Sequence, residues 1–250
     1  MSRKSVLFLF CAVASLLAAD LPPGMDDFEP DDNTVAFWDF AYMKKGMIID
    51  QSGFGNDMAL KAKEDAPLPR INDDGAEFDG QGGYVELNPK ESLRIRKGDF
   101  SIEMYIMFTD EVQKPNAVFN YMIIGNKAVS EGKGGFTMGY ASHRGNRFYM
   151  MYSLDDKPHE FSAKVAKAPE PGKWHKVTFS REGDKMAFFL NGVKLGEETV
   201  AGDINLIARR SICFGIYSVP WQRNKQNKLQ VFGFKGKLRY VRISDKGRSN

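Results

Sequence analysis

Short stretches in which apolar and polar residues alternate recur along the whole chain, a period of two that is typical of β-strands with one buried face. The clearest stretch, FSIEMYIMF, covers residues 100–108. Its apolar side consists of Phe100, Ile102, Met104, Ile106 and Phe108. Similar patterns occur at residues 35–40, 76–78, 84–87, 136–140, 147–152, 212–217 and 238–244. With turn residues between them and no long helical periodicity, these stretches predict an all-β fold, an antiparallel β-sandwich or barrel.

A hairpin is predicted in GKWHKVTFSREGDKMAFFLNGVKLGE, residues 172–197. Residues 174–181 and 186–190 alternate as strands, and a Gly-Asp pair lies in the turn between them. Asn191 and Gly192 then supply the positive φ angles that a type I′ turn requires. His175 shares a strand side with two apolar residues, which favours a packed, hydrogen-bonded histidine over a catalytic one.

The N-terminus reads as a secretory signal peptide over residues 1–19, in which two basic residues precede an apolar stretch that ends in small residues. No later segment approaches the roughly 20 apolar residues of a membrane span. Residues 20–33 are acidic, contain prolines and lack periodicity, so they predict a flexible leader. Residues 34–250 then form one domain of a secreted protein, either periplasmic or extracellular.

Removal of the signal peptide leaves Cys213 as the only cysteine. Its apolar neighbours favour a small buried thiol over an intermolecular disulfide. An exported protein without an internal disulfide must be held together by packing or by a metal, which makes structural Ca²⁺ a reasonable expectation.

The net charge of +3 conceals a strong asymmetry. Residues 1–130 carry 13 Lys and Arg against 21 Asp and Glu, whereas residues 131–250 carry 22 against 11. The basic half can attract an anionic partner, and for an exported protein an acidic or sulfated glycan is more plausible than a nucleic acid. The alternative is that the basic half is balanced by the acidic half within the fold.

Six segments, in this order, resemble the laminin G-like jelly-roll domains of the concanavalin A-like lectin and glucanase superfamily. They are VAFWDF, DQSGFGNDMAL, AEFDGQGGYVEL, DFSIEMYIMF, the hairpin of residues 172–197 and FKGKLRYVRISDKGRS. The resemblance spans residues 35–249 and implies a concanavalin A-like jelly roll. It also implies a binding role toward carbohydrate, glycoconjugate or protein, frequently with a calcium ion at the sheet edge.

Candidate calcium ligands are Asp50, Asn56 and Asp79, with Asp57 beside them, because Ca²⁺ prefers carboxylate, amide and backbone oxygens on glycine-rich loops. The alternative is that Asp50 and Asn56 hydrogen-bond their own turns, as Asx residues beside glycine often do. The closing strand, moreover, has Arg239 and Tyr240 where the family usually carries an acidic pair.

A glycan site needs an aromatic ring for the apolar face of the sugar and polar partners for its hydroxyls. The loop YSVPWQRNKQNK, residues 217–228, has this composition and little counterpart in the family. It supplies Tyr217, Trp221 and Arg223; the alternative for Trp221 is a lid over the core. A second segment, residues 141–152, supplies the remaining candidates His143, Arg144, Arg147 and Tyr149.

Catalysis is less well supported, because the paired-carboxylate run E-x-D-x-x-E of superfamily glycosidases is incomplete both at Glu77 and at Glu182. The sequence therefore predicts a non-catalytic carbohydrate- or glycoconjugate-binding module, with a polysaccharide or glycoconjugate as its partner and no nucleic acid. Two alternatives stay open: a structural or adhesion protein that binds another protein, and a polysaccharide lyase or glycoside hydrolase. For a lyase, the Tyr/His/Arg constellation would come from Tyr140, His143, Arg144, Arg147 and Tyr149.

Overall fold

The computed structural model describes residues 24–25, 27–88, 90–93, 98–109, 120–126, 134–142, 145–206, 211–216 and 233–248. These residues form antiparallel strands and one short 3-10 helix, Glu91–Leu93. The strands are β1 (Thr34–Lys44), β2 (Met47–Asp50), β3 (Met58–Ala62), β4 (Arg70–Asn72), β5 (Gly75–Asp79), β6 (Gly83–Leu87), β7 (Phe100–Phe108), β8 (Asn120–Gly125), β9 (Phe136–Ala141), β10 (Arg147–Leu154), β11 (Lys157–Lys164), β12 (Trp174–Glu182), β13 (Lys185–Leu190), β14 (Val193–Thr199), β15 (Ile204–Asn205), β16 (Ile212–Phe214) and β17 (Lys235–Ser244).

The strands pair into two layers. The front sheet has the order β11-β10-β9-β8-β16-β6-β3-β2, and β15 pairs with the end of β10. The back sheet has the order β14-β13-β12-β7-β17, and the far side of β17 is shared by β1 and β5. Because β1 continues from β17 to β2, it carries the chain from the back sheet to the front sheet. This is the predicted antiparallel β-sandwich of jelly-roll type.

The hydrophobic core lies between the two sheets. Strand β7 contributes the whole apolar side read from the sequence, and each of its five inward residues is fully buried. Trp38 of β1 and Phe214 of β16 meet edge to face at 5.6 Å, so residues from opposite layers pack directly against each other. The alternation in the sequence therefore identified the inner face correctly.

The predicted hairpin is confirmed. Strands β12 and β13 pair from Val177 to Glu182, and β13 and β14 are joined by Asn191 and Gly192, both at positive φ. The buried thiol is confirmed as well: Cys213 lies on β16 at 3 % exposure, and burial raises its pKa to about 12. The strand expected over residues 212–217 is shorter than predicted and ends at Phe214.

The described part of the acidic leader lies against the outer face of the back sheet. Met25 and Phe28 are both buried there, packed with aromatic residues of the sheet. Two isolated apolar residues in an acidic stretch thus contact an apolar surface of the sandwich. The flexibility of the segment stays a prediction.

Candidate functional site

The loop of residues 50–57 is organised around one carboxylate. Asp50 Oδ1 accepts hydrogen bonds from the backbone N–H groups of Phe37 and Ser52, both at 3.0 Å. Its Oδ2 accepts from the Ser52 hydroxyl at 2.8 Å, the Asn56 backbone N–H at 2.9 Å and the Asn56 side-chain amide at 3.0 Å. A buried carboxylate with five donors around it ties the loop to β1.

This arrangement does not fit calcium. A cation requires lone pairs directed at one point, whereas both Asp50 oxygens are surrounded by N–H and O–H groups. Asn56 is equally engaged, since its side-chain amide also donates to Val35 O and its carbonyl Oδ1 accepts from Ser92. Asp79 accepts from Gln81 N in its own turn, and Asp57 accepts from Asp50 N. The interpretation of these residues as turn-forming Asx residues agrees with the geometry.

The other acidic, histidine and cysteine side chains of the described residues do not form a metal site either. Among the residues that the structure describes, no three of them are close enough together to hold a metal ion. We therefore propose no role for a cation at these positions.

The second group of predicted ligand residues lies on the outer face of the front sheet. Arg147 and Tyr149 point outward from β10, next to Lys164 and Ser162 of the edge strand β11. The Arg147 guanidinium donates to the Ser162 hydroxyl at 3.3 Å, and both side chains are half-buried. The structure thus brings two of the predicted residues together on a partly exposed polar edge.

Tyr149 is more enclosed than a sugar-stacking ring would be. The residue is 5 % exposed, and the hydroxyl end of its ring lies close to Gly139 of the neighbouring strand β9. A Cβ atom at Gly139 would come within 2.6 Å of the Tyr149 hydroxyl, so glycine is what allows this packing. Tyr149 supports the site from beneath rather than presenting a free face, while Arg147 stays accessible.

The other predicted ligand residues, Tyr217, Trp221, Arg223, His143 and Arg144, lie outside the described residues. In the sequence, these residues belong to two segments that adjoin described strands. Residues 143–144 connect β9 to β10, and residues 217–232 follow β16, the central strand of the front sheet. Both segments therefore leave from the sheet that carries Arg147 and Tyr149, although from different strands.

The outer face of the front sheet has no paired acidic residues of a glycosidase at its described strand positions. A retaining glycosidase needs two carboxyl groups about 5 Å apart. Among the described strand positions of this face, acidic side chains occur at Glu86 of β6, beside Cys213, and at Glu160 of the edge strand β11. Strands β16, β8, β9 and β10 lie between these two residues, so they cannot form such a pair.

His175 has a structural role. Its Nε2–H donates to the Glu170 carbonyl at 3.2 Å, and its Nδ1 accepts from the Asn191 side-chain amide at 3.3 Å. The ring therefore links the loop before β12 to the turn after β13. Burial lowers the pKa of His175 below its ordinary value, and the hydrogen bond to Glu170 only partly offsets this effect.

The depressed pKa of His175 predicts a loss of stability in mild acid. The unfolded histidine binds a proton near pH 6.5, whereas the folded ring resists protonation. The neutral ring's stabilisation is therefore complete above about pH 6.5 and declines as the pH falls below it. We expect the melting temperature to drop between pH 7 and pH 5, with a smaller drop in His175→Gln. His159→Gln, a change on the exposed part of β11, should retain the full drop; an unchanged slope in His175→Gln would contradict the assignment.

The basic C-terminal segment is largely neutralised where it is described. Residues 209–248 contain eleven Lys and Arg, of which six are described. Four of these six form ion pairs with acidic residues of the first half of the chain: Lys237 with Asp74, Arg239 with Asp39, Arg242 with Glu103 and Arg248 with Asp31. For this part of the chain, the alternative of internal charge balance is the better account of the asymmetry.

Sequence reasoning missed the buried cluster on the back sheet. Glu103 points outward from β7 yet is fully buried, with Lys176 Nζ 3.1 Å from its Oε1. Arg242 reaches its Oε2 at 2.7 Å, and Arg248 Nε lies 3.4 Å from the same oxygen. The only signal in the sequence was an acidic residue in the centre of an otherwise apolar strand.

Comparison with known proteins agrees with this fold. A family model described as Concanavalin A-like lectin/glucanases superfamily matches residues 79–250. No curated protein matches the chain in sequence. None of the described residues belongs to a helix long and apolar enough to cross a membrane.

Several solved structures are similar to the chain. They include the receptor binding domain of botulinum neurotoxin D, at 16 % identity and a TM-score of 0.58, covering 87 % of this chain and 50 % of that one. The binding domain of Paraclostridial Mosquitocidal Protein 1 is similar at 13 % identity and a TM-score of 0.59, with coverages of 87 % and 50 %. The receptor binding domain of the mosaic serotype C/D neurotoxin has 16 % identity, a TM-score of 0.58 and coverages of 87 % and 48 %. The chain thus spans about half the length of these domains, and at such identities the likeness shows the fold alone.

Proposed function

Because the chain belongs to the concanavalin A-like lectin/glucanase superfamily, we propose that it binds a carbohydrate or glycoconjugate outside the cytoplasm and leaves it chemically unchanged. The observation that carries the proposal is the outer face of the front sheet. Its described strands present an arginine, small residues and a tyrosine, and their two outward acidic residues, Glu86 and Glu160, lie too many strands apart to act as the carboxyl pair of a retaining glycosidase.

The binding surface comprises Arg147 together with the segments around His143 and Trp221. Arg147 is held beside Ser162 at the edge of the sheet and offers a guanidinium for sugar hydroxyls or acidic groups. Trp221 and Tyr217 supply rings that can stack on the apolar face of a sugar, and Arg223 and Arg144 supply further donors. Similarity to toxin receptor-binding domains supports a recognition role.

The proposed preference for an acidic or sulfated ligand depends on fewer basic residues than the sequence suggested. Since four of the six described basic residues near the C-terminus pair internally, this preference depends on Arg209, Arg210, Arg223, Lys225 and Lys228. A sulfated ligand bound through them should be released as salt screens the charges, whereas a neutral glycan bound by stacking should not.

The test is a pull-down of the chain on neutral, uronic and sulfated polysaccharides. Trp221→Ala should weaken retention at least about tenfold, or about 1.4 kcal/mol, because the stacking ring is lost. Tyr42→Ala is the matched control, since Tyr42 is an exposed ring at the far end of β1 and its loss should leave retention unchanged.

Three other outcomes would count against the proposal. Equal retention by both variants would remove Trp221 from the site. Shortened or unsaturated products would favour the hydrolase or lyase alternative, and a glycan screen without hits combined with a stable protein partner would favour adhesion.

A further inference from the structure

The outer face of the back sheet carries an aromatic groove that the proposed glycan site does not use. Four neighbouring strands each contribute one ring: Phe37 from β1, Tyr240 from β17, Tyr105 from β7 and Trp174 from β12. Phe37 and Tyr240 stack at 6.0 Å, and Tyr105 meets Tyr240 edge to face at 6.2 Å. We call this set, with Met107, the aromatic groove.

Phe28 of the leader fills the aromatic groove. Its ring lies 5.1 Å from Tyr105, 5.9 Å from Phe37 and 6.1 Å from Tyr240, measured between ring centroids. Two cations also face it, the Arg242 guanidinium at 4.3 Å and Lys176 Nζ at 5.3 Å. Aromatic and cationic neighbours both stabilise an aromatic ring, so these contacts favour an aromatic side chain at this position.

On one side of the groove, two arginines form hydrogen bonds with residues that follow Phe28. Arg242 donates to the backbone carbonyl of Glu29 at 2.7 Å. Arg248 donates to both carboxylate oxygens of Asp31, at 2.7 and 2.6 Å. Together they match an aromatic residue followed, three positions later, by a carboxylate.

The leader is attached in a way that permits its release. Strand β1 begins at Thr34, and none of the described residues before it pairs with a strand. Two apolar side chains, the hydrogen bonds from Arg242 and Arg248, and the bonds between Asp31 and Thr34 hold residues 24–31, and the Asp31–Arg248 pair is partly exposed to solvent. Asn33 is tied to the sheet, because its carbonyl accepts from Asp245 N. Detachment of residues 24–31 would leave that bond and every strand pairing in place.

We propose that the aromatic groove is a peptide-docking site, occupied in cis by the leader and opened to a partner protein that presents an aromatic residue followed three positions later by Asp or Glu. The groove suits a peptide better than a sugar, because its walls are rings and its two cations already bind Glu103. A sugar ring there would leave most of its hydroxyls without partners. Because the leader is part of the same chain, its effective concentration at the groove is high, and it competes with the peptide of the partner.

The test uses the full chain and a fluorescent peptide, GMDDFEPDDN, with the sequence of residues 24–33. Phe28→Ala empties the groove and should bind the peptide at least tenfold more tightly than the unsubstituted chain. Phe28→Leu keeps part of the apolar side chain and should give an intermediate affinity. Phe54→Ala, which removes an exposed ring from the loop of residues 50–57, should behave like the unsubstituted chain.

Two further binding measurements test which peptide residues the groove requires. The same peptide with its phenylalanine replaced by alanine should not bind Phe28→Ala, and Arg248→Gln introduced into Phe28→Ala should weaken binding of the original peptide several-fold. Absence of peptide binding by a folded Phe28→Ala chain would overturn the proposal. Equal binding of the two peptides, or a preference for an acidic oligosaccharide over the peptide, would overturn it as well.

Discussion

Replacing Glu103 with glutamine should lower the melting temperature by about 10 °C, corresponding to about 3 kcal/mol of unfolding free energy. The carboxylate is fully buried, and Lys176, Arg242 and Arg248 all direct charged groups at it. Glutamine keeps the size of the side chain but removes its charge, which leaves three cations close together around a neutral group, of which Arg248 still pairs with Asp31. Breaking a buried ion pair costs more than the pair itself contributes, because the remaining charges stay desolvated.

Glu197→Gln provides the matched control. Glu197 also lies near two lysines, Lys185 and Lys194, but on the accessible strand β14. Solvent screens that cluster, so the melting temperature should stay essentially unchanged. Thermal unfolding followed by circular dichroism measures both variants; a Glu103→Gln protein that melts with the unsubstituted chain would show that the buried cluster is not a source of stability.

The same substitution also bears on the leader. Arg242 contacts Glu103 and the carbonyl of Glu29, while Arg248 contacts Glu103 and Asp31. Glu103 thus positions the two arginines that hold the leader over the aromatic groove. Loss of the carboxylate should loosen the leader before the sandwich unfolds.

Strands with two-residue alternation and turn chemistry could be predicted from the sequence. Strand β7 and the β12–β13 hairpin follow the pattern closely, because each has one face in the core and a recognisable turn. Strand β11 could not be predicted in this way, and β14 was indicated only by the Asn191-Gly192 turn before it. They lie at the edges of the two sheets, where exposed positions carry His, Glu, Lys and Thr with little alternation.

Position along the chain could not reveal the ionic and aromatic contacts of the back sheet. Phe28 is one apolar residue in an acidic stretch, and its partners come from four strands, three of which the chain reaches much later. The charge asymmetry was visible in composition, yet its resolution into pairs such as Arg239 with Asp39 depends on β1 lying beside β17. Long-range pairing of this kind follows from topology and not from local pattern.

The candidate glycan site was predicted as a set of residue types rather than as a geometry. Arg147 and Tyr149 do share the outer face of β10, as alternation required. Alternation could not show that Tyr149 would be almost fully buried, with its hydroxyl packed close to Gly139 of the adjacent strand. A tyrosine that packs on a glycine is a support for the surface, which places more weight on Arg147 and Trp221 for recognition.

Replacing Asp50 with alanine should destabilise the protein by about 3 kcal/mol or more, and Asp50→Asn should be nearly as harmful. Alanine removes the acceptor from five donors at once and leaves several of them buried without a partner. Asparagine keeps the shape of the side chain but replaces one carboxylate oxygen with an NH₂ group. That group would face N–H or O–H donors and could not accept their hydrogen bonds. Asp79→Asn is the control, because Asp79 accepts a single exposed hydrogen bond within its own turn and should cost less than about 1 kcal/mol.

Calcium titration separates this hydrogen-bonding role from a metal-binding one. Because the donors around Asp50 leave its oxygens no geometry for a cation, neither Ca²⁺ nor a chelator should move the melting temperature through Asp50 or Asp79. If Asp50 and Asp79 instead held a metal together, Ca²⁺ would raise the melting temperature and both substitutions would abolish the increase. The expected pattern is the opposite: a large loss in Asp50→Asn at every calcium concentration, and almost none in Asp79→Asn.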